Sequence, residues 1–280
     1  MRLCSYIHNG KASFGAIHEA GGIVDLGERL KECPSLLDLV RANALDKAQE
    51  VLNANVADFN EEDVQFIPLF SETVNIHCVG LNYAAHTAEA GMKQPGFPRT
   101  FFKIPPSLVG HRQALKQPTL SHQFDFEGEL GVVIGKPTRE ATLENAMESV
   151  FGYTCFMDGS VRDYQLERTL DQGKNFYRSS SMGPYLVTAD EVGDIRNLTL
   201  STYVSGERMQ HTTFDKMIFP VPVLISYLSG ISELLPGDVI ATGTPEGVGF
   251  KRTPPRWLKA GDTVEVVIDK VGTLSNAIIK

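Results

Sequence analysis

The chain has 280 residues, 42% hydrophobic and 21% charged, globular proportions that allow one large domain with a small appendage and a core that needs no staples. Its 26 basic and 34 acidic residues leave a net charge of −8, which argues against nucleic acid and against an anionic membrane as partners. The four cysteines form no C-x-x-C pair, the start has no apolar signal core, and the most apolar stretch, 219–228, is half a membrane span. A zinc ribbon, a dithiol centre and a spanning helix are thereby excluded, and a soluble cytoplasmic protein is expected.

Short strands open the chain. Residues 3–6 alternate, His8-Asn9-Gly10 turns, 13–17 run extended, and Gly21-Gly22 leads into Ile23-Val24. A helix follows, with Ser35 and Asp38 at capping-box spacing and a stripe running from Leu36 through Leu39, Val40, Leu45 and Ala48 to Leu52. Residues 53–71 are polar and irregular. A boundary near Glu72 divides a small N-terminal α/β domain, 1–71, which carries no clustered chemistry, from a domain spanning 72–280. Beyond the boundary, strands are expected at 76–81, 131–134, 149–155, 198–204, 238–241 and 263–268, with helices at 142–150, 162–169 and 222–228. Many short strands and few helices predict an α+β fold, a mixed β-sheet folded on itself.

No G-x-x-x-x-G-K-[ST] loop, G-x-S-x-G elbow, H-E-x-x-H pair or G-x-G-x-x-G fingerprint occurs, which removes the usual carriers of nucleotide, serine-hydrolase and zincin chemistry. Carboxylate chemistry remains. In 124–130, Asp125, Glu127 and Glu129 project from one face at a side-chain period of two. Like charges side by side repel, and no matching cluster of cations stands beside them in the sequence, so a hard divalent ion such as Mg²⁺, Mn²⁺ or Ca²⁺ is the expected remedy. An isolated E-x-E is otherwise a common solvated acidic face. Asp158 ends the apolar run 153–157 before Gly159 turns the chain, so it needs a partner, either the same ion or Arg162.

If residues 83–90 form a short helix, His86 and Glu89 share a face, and the carboxylate orients the imidazole and raises its basicity, as a water-activating base requires. Glycines 80, 91 and 96 bracket the segment as hinges of a lid. Lys174, in a polar Gly/Ser stretch, suits a developing oxyanion, and the loop 242–249 suits a carboxylate through its N–H groups and hydroxyls. Taken singly, these features also fit a surface His–Glu pair, a solvated lysine and a tight strand connection.

In this order, the segments resemble the fumarylacetoacetate hydrolase family. The resemblance is carried by Gly80-Leu81-Asn82-Tyr83 with His86 and Glu89, by Phe101-Phe102-Lys103-Ile104-Pro105-Pro106-Ser107, and by Asp125-Phe126-Glu127-Gly128-Glu129-Leu130. Asp158-Gly159-Ser160-Val161-Arg162-Asp163-Tyr164-Gln165, Gly173-Lys174, Gly183-Pro184, Pro236-Gly237-Asp238, the 242–249 loop and Leu258-Lys259-Ala260-Gly261-Asp262 continue it. It implies a folded-over mixed sheet, a homodimer, a 2-oxo acid substrate and a bound Mg²⁺ or Mn²⁺. It places the metal on Glu127, Glu129 and Asp158, with Asp125 not among the direct ligands. It makes His86 and Glu89 the water-activating pair, Lys174 the oxyanion lysine, and Asn82, Tyr83, Gln165, Gly243 and Thr244 substrate contacts. The implied reaction is hydrolysis of a C–C bond in acylpyruvate-type 2,4-dioxo acids. Isomerisation or decarboxylation of a small 2-oxo dicarboxylate follows if no water is used, and a non-catalytic metal-dependent binder is the reading from another class.

The chain departs from the family pattern in two places. Asn-Asp-Val-Ser-Ala-Arg-Asp is replaced by Met157-Asp158-Gly159-Ser160-Val161-Arg162-Asp163, and Lys-Ser-Phe-Asp-Thr-Phe by Lys174-Asn175-Phe176-Tyr177-Arg178-Ser179. The second change adds a cation, and Arg178 is expected to grip the distal carboxylate of a dicarboxylic substrate.

Overall fold

Strand Gly128–Ile134 is buried along its whole length, and the fold follows from what covers its two faces. Leu130, Val132 and Ile134 enter one core and Val133 the other, the alternation a strand imposes when both of its faces are covered. A computed structural model describes residues 1–70 and 74–280. The expected boundary at Glu72 lies outside the described residues.

The strand belongs to an eleven-stranded sheet. In spatial order it contains Ile23–Asp25, Lys11–Ile17, Arg2–His8, Ser180–Thr188, Val150–Met157, Gly128–Ile134, Val239–Ala241, Ile76–Gly80 and Arg99–Lys103, with Gln65–Phe66 and Leu108–Val109 paired off this path. Val239–Ala241 runs parallel to Ile76–Gly80, whereas Gly128–Ile134 is antiparallel to both of its neighbours. A five-stranded sheet, Glu207–Thr213, Thr199–Val204, Thr263–Ile268, Gly272–Ile279 and Leu115–Lys116, covers one face. Its Leu200, Val266, Leu274 and Ile278 pack in the same core as Leu130 and Val132. The fold is α+β with mixed sheets, as the sequence led us to expect.

The opposite face is covered from the N-terminal segment. Leu36, Leu37, Leu39 and Val40 pack with Val133, Phe156, Val239 and Ala241, and Arg2–His8 pairs antiparallel with Ser180–Thr188. Residues 1–70 therefore extend the large sheet and supply its helical cover. The capping box at Ser35 and Asp38 is formed. The single helix expected after it is two, Leu36–Arg41 and Leu45–Ala54, because Asn43 adopts a left-handed φ of 49° between them.

The expected helix at 142–150 is instead a single 3₁₀ turn, Ala146–Ser149, running into Val150–Met157. Strands Ser180–Thr188 and Gly272–Ile279 went unseen in the sequence. Gly183-Pro184 is a local strand breaker, and the pairing with Val150–Met157 overrides it. Among the described residues, no helix is long and apolar enough to cross a membrane.

The close approach of Val150–Met157 to Ser180–Thr188 depends on glycine. A methyl added at Gly152 would sit 2.2 Å from the Val187 carbonyl oxygen, so Gly152→Ala should cost about 2 kcal/mol or more and lower the melting temperature by roughly 4–8 °C. Gly230, near the end of helix Val221–Ile231, has nothing within 4 Å of such a methyl. Gly230→Ala should add about 0.5–1 kcal/mol. Calorimetric scans of the two variants check both signs.

Candidate active site

Three carboxylates meet where two neighbouring strands begin and end. Glu129 lies in Gly128–Ile134 opposite Phe156, and Asp158 follows the last residue of Val150–Met157. The Asp158 amide donates to the Glu127 carbonyl at 2.8 Å. One oxygen of each carboxylate lies within 4.8 Å of the others, and all three residues are buried. The turn after Asp158 requires glycine, since a Cβ on Gly159 would fall 1.8 Å from the Ser179 carbonyl oxygen.

Asp125 does not share this face. The chain from 124 to 129 is not one strand: Phe124–Asp125 pairs with Ser160–Val161, and the long strand begins only at Gly128. The break turns Asp125 away, and its carboxylate accepts from the Gly249 amide at 2.8 Å, the Phe250 amide at 3.1 Å and Arg162 Nε at 2.8 Å.

The expectation that no cations accompany the carboxylates is overturned. Lys174 Nζ donates to Glu127 at 2.7 Å and to Asp158 at 2.8 Å. Lys103 Nζ lies 2.8 Å from the other Asp158 oxygen and donates to the carbonyls of Gly159 and Lys174. Arg162 reaches Glu127 at 2.7 Å as well as Asp125. Sequence distance hid this cluster, because its cations come from three separate elements. Burial opposes charge on Glu127, but Lys174 and Arg162 outweigh it and hold the carboxyl well below the usual range. Burial likewise opposes charge on Lys174, and Asp158 and Glu127 outweigh it, so its amine is held above the ordinary lysine range as an ammonium.

Glu129 differs from its neighbours. Among the described residues it accepts from the Gly243 amide at 2.9 Å, and burial, together with Asp158 and Glu127, pushes its carboxyl far upward. A buried carboxylate beside two others, with no cation paired to it among the described residues, forms with them a hard oxygen donor set suited to a divalent ion. The residues fit the metal that the family resemblance implies.

The loop after Val239–Ala241 binds carboxylates, and they are the protein's own. Gly243 donates to Glu129, Gly247 to Glu89 at 3.0 Å, and Gly249 and Phe250 to Asp125. Left-handed φ values at Gly243 (96°) and Gly247 (100°) aim these amides. Glu89 sits at the end of helix Ala84–Glu89 and lies 3.3 Å from His86 Nδ1. A cavity of about 210 Å³ opens between this helix and the carboxylates, with His86, Glu127, Arg162, Gln165, Lys174 and Thr244 among its polar walls.

Residues 75–279 match the family model for the fumarylacetoacetate (FAA) hydrolase C-terminal region. The chain belongs to the fumarylacetoacetate hydrolase family. It is 35% identical over 270 residues to a mitochondrial oxaloacetate tautomerase, fahd2, of Xenopus laevis, covering 94% of this chain and 84% of that protein. A solved fumarylacetoacetate hydrolase from Exiguobacterium antarcticum is 32% identical with a TM-score of 0.84, covering 100% of this chain and 99% of that one. The maleylpyruvate hydrolase of Sphingobium sp. SYK-6, solved with manganese(II) and pyruvate, is 26% identical with a TM-score of 0.83, covering 100% and 99%.

Of the expected substrate contacts in this fumarylacetoacetate hydrolase family protein, Gln165 and Thr244 line the cavity. Asn82 is buried elsewhere, its amide donating to the carbonyls of Phe219 and Thr242 and accepting from the Phe219 amide. It clamps two loops together. Tyr83 is buried in the apolar core, where burial raises its phenol, and Gly243 is occupied with Glu129.

Arg178 is a correction. Its left-handed φ of 53° turns the guanidinium to the Ala114 carbonyl, and it lines a separate concavity with His111 and Arg112. Lys103 was missed as a site residue. The available signal was the alternation in Arg99–Lys103, where Phe102 points out while Phe101 and Lys103 point in.

Replacing Glu129 by glutamine removes a buried charge with little change of shape. Glu129→Gln should leave the metal-free protein within about 1 kcal/mol of the parent, whereas loss of one carboxylate ligand should weaken Mn²⁺ binding roughly 100-fold or more. Thermal melts without metal and titration calorimetry with Mn²⁺ measure the two separately.

Proposed function

We propose that this protein catalyses keto–enol proton transfer in a small 2-oxo dicarboxylate of the oxaloacetate type, with Mg²⁺ or Mn²⁺ held by Glu127, Glu129 and Asp158. One observation carries the reading. The cavity wall beside the carboxylates includes Arg162, whose second terminal nitrogen is buried with no hydrogen-bond partner among the described residues. A buried guanidinium N–H left open in this way calls for an anionic oxygen, and a substrate carboxylate supplies it.

The residues then divide the proton transfer. Glu89, fixed by the Gly247 amide, accepts from His86 Nδ1 and leaves the other imidazole nitrogen as the base. That nitrogen takes the proton from the carbon next to the keto group. Lys174 stays protonated between Glu127 and Asp158, which take two of its three donors; the third serves the keto oxygen as negative charge develops there. A divalent ion, when bound, adds Lewis-acid polarisation of the keto and carboxylate oxygens. Phe101, Leu166 and Leu170 narrow the cavity and limit access of water.

The oxaloacetate tautomerase relative at 35% identity supports this reading over the hydrolysis first expected. Hydrolysis of an acylpyruvate is the second reading, favoured by the maleylpyruvate hydrolase structure with manganese and pyruvate and by the suitability of the His86–Glu89 pair for activating water.

With Mg²⁺ or Mn²⁺ present, the protein should accelerate loss of the enol absorbance of oxaloacetate without releasing pyruvate. His86→Gln should slow that step by ~10²–10⁴, and exhaustive chelation should abolish it. Stoichiometric pyruvate from an acylpyruvate, with no acceleration of the oxaloacetate step, would replace this reading with the second.

A further inference from the structure

Strand Arg99–Lys103 is the last in the path of the large sheet and pairs with Ile76–Gly80. A period of two places Arg99, Phe101 and Lys103 on one face. Lys103 stands at Asp158. Phe101 lines the cavity, with the Lys174 ammonium 5.2 Å from its ring centroid. Arg99 also lines the cavity and is exposed, at the solvent end of the same row. At ~3.3 Å per residue, the Arg99 Cα lies roughly 13 Å along the strand from that of Lys103 and about 7 Å from that of Phe101.

The other cavity-lining cations sit in ion pairs at the carboxylate cluster. Lys174 is paired with Glu127 and Asp158, and Arg162 with Asp125 and Glu127. The Arg99 side chain has no hydrogen bond or ion pair among the described residues. Phe101 stands between Arg99 and Lys103 along the strand, and the apolar Leu81, Met92 and Leu166 also line the wall. The cavity thus has an ionic end at the carboxylates and, at an exposed edge, one cation that makes no ion pair among the described residues.

We infer that Arg99 takes the distal carboxylate of the substrate and so selects 2-oxo dicarboxylates over 2-oxo monocarboxylates. This inference rests on the proposed 2-oxo acid chemistry, whose reacting end lies at the carboxylate cluster. The planar fork of an arginine matches a carboxylate with two parallel hydrogen bonds, which a lysine cannot reproduce. Exposure at the mouth weakens such a pair by solvent screening, so a loss of about tenfold is expected, not thousands.

The test is calorimetric binding to the manganese-loaded protein, in the parent, Arg99→Gln and Arg99→Lys. Oxalate and 2-oxobutyrate report on the inner end alone, and 2-oxoglutarate and 2-oxoadipate add a distal carboxylate at two lengths. Arg99→Gln should weaken at least one of the two dicarboxylates about tenfold and leave oxalate and 2-oxobutyrate unchanged, with Arg99→Lys in between. In turnover of oxaloacetate, Arg99→Gln should raise KM with kcat retained. Equal losses for all four ligands, or no loss for either dicarboxylate, overturn the assignment of Arg99. Failure of oxalate and 2-oxobutyrate to bind the parent overturns the 2-oxo acid reading, and the assignment falls with it.

Discussion

Four carboxylates, Asp125, Glu127, Glu129 and Asp158, are buried together, and everything around them offsets that concentration of charge. Uncompensated, even one such group would cost several kcal/mol. Lys103, Lys174 and Arg162 supply three positive charges, and the amides of Gly243, Gly249 and Phe250 supply dipoles. The compensation comes from the edge strand, the helix Leu170–Lys174, the helix Arg162–Glu167 and the loop after Val239–Ala241. These are distant in sequence, so the site exists only when the large sheet is complete. The N-terminal helices matter here indirectly, because they cover the face of the sheet whose other residues carry the cluster.

The same accounting determines which groups are available to a substrate. Most donors in the cavity already serve protein carboxylates. What is left is one nitrogen of Arg162, one donor of Lys174, the outer nitrogen of His86 and the exposed Arg99. Three positively charged groups and one base describe an anion that is held and deprotonated. A neutral ester or amide would leave Arg162 and Arg99 without partners.

The carboxylates were legible in the sequence because spacing alone suffices to bring Glu127 and Glu129 together and an apolar run suffices to bury Asp158. His86 and Glu89 were legible because one helical turn joins them. The cations were not, since nothing local distinguishes the inward Lys103 from an ordinary strand-edge lysine; its burial is decided by Asp158, 55 residues later. Arg178 misled for a related reason. Spacing after Lys174 suggested a shared face, but helix Leu170–Lys174 ends there and the chain reverses before Arg178. The loop 242–249 reads in the sequence as a carboxylate holder, but its length gives no sign that the fold brings three of the protein's own acidic side chains to its amides while Thr244 lines the cavity.

That loop has a further consequence. Gly243 holds Glu129, in the proposed metal site, and Gly247 holds Glu89, which orients the proposed base. Only three residues, Thr244, Pro245 and Glu246, therefore separate the anchor of the ion from the anchor of the imidazole. Both glycines are left-handed, and a Cβ at Gly247 would come within 2.1 Å of the Met209 carbonyl oxygen, so the loop is packed against the five-stranded sheet with no room to shift. Proton transfer from carbon needs the base and the polarised oxygen at a fixed separation, since misplacement by an ångström costs about a hundredfold. A loop immobilised at both anchors sets that separation, because Glu89, at the end of the short helix Ala84–Glu89, accepts from the Gly247 amide. In this arrangement, one hydrogen bond fixes both the end of the helix and the carboxylate that orients the imidazole.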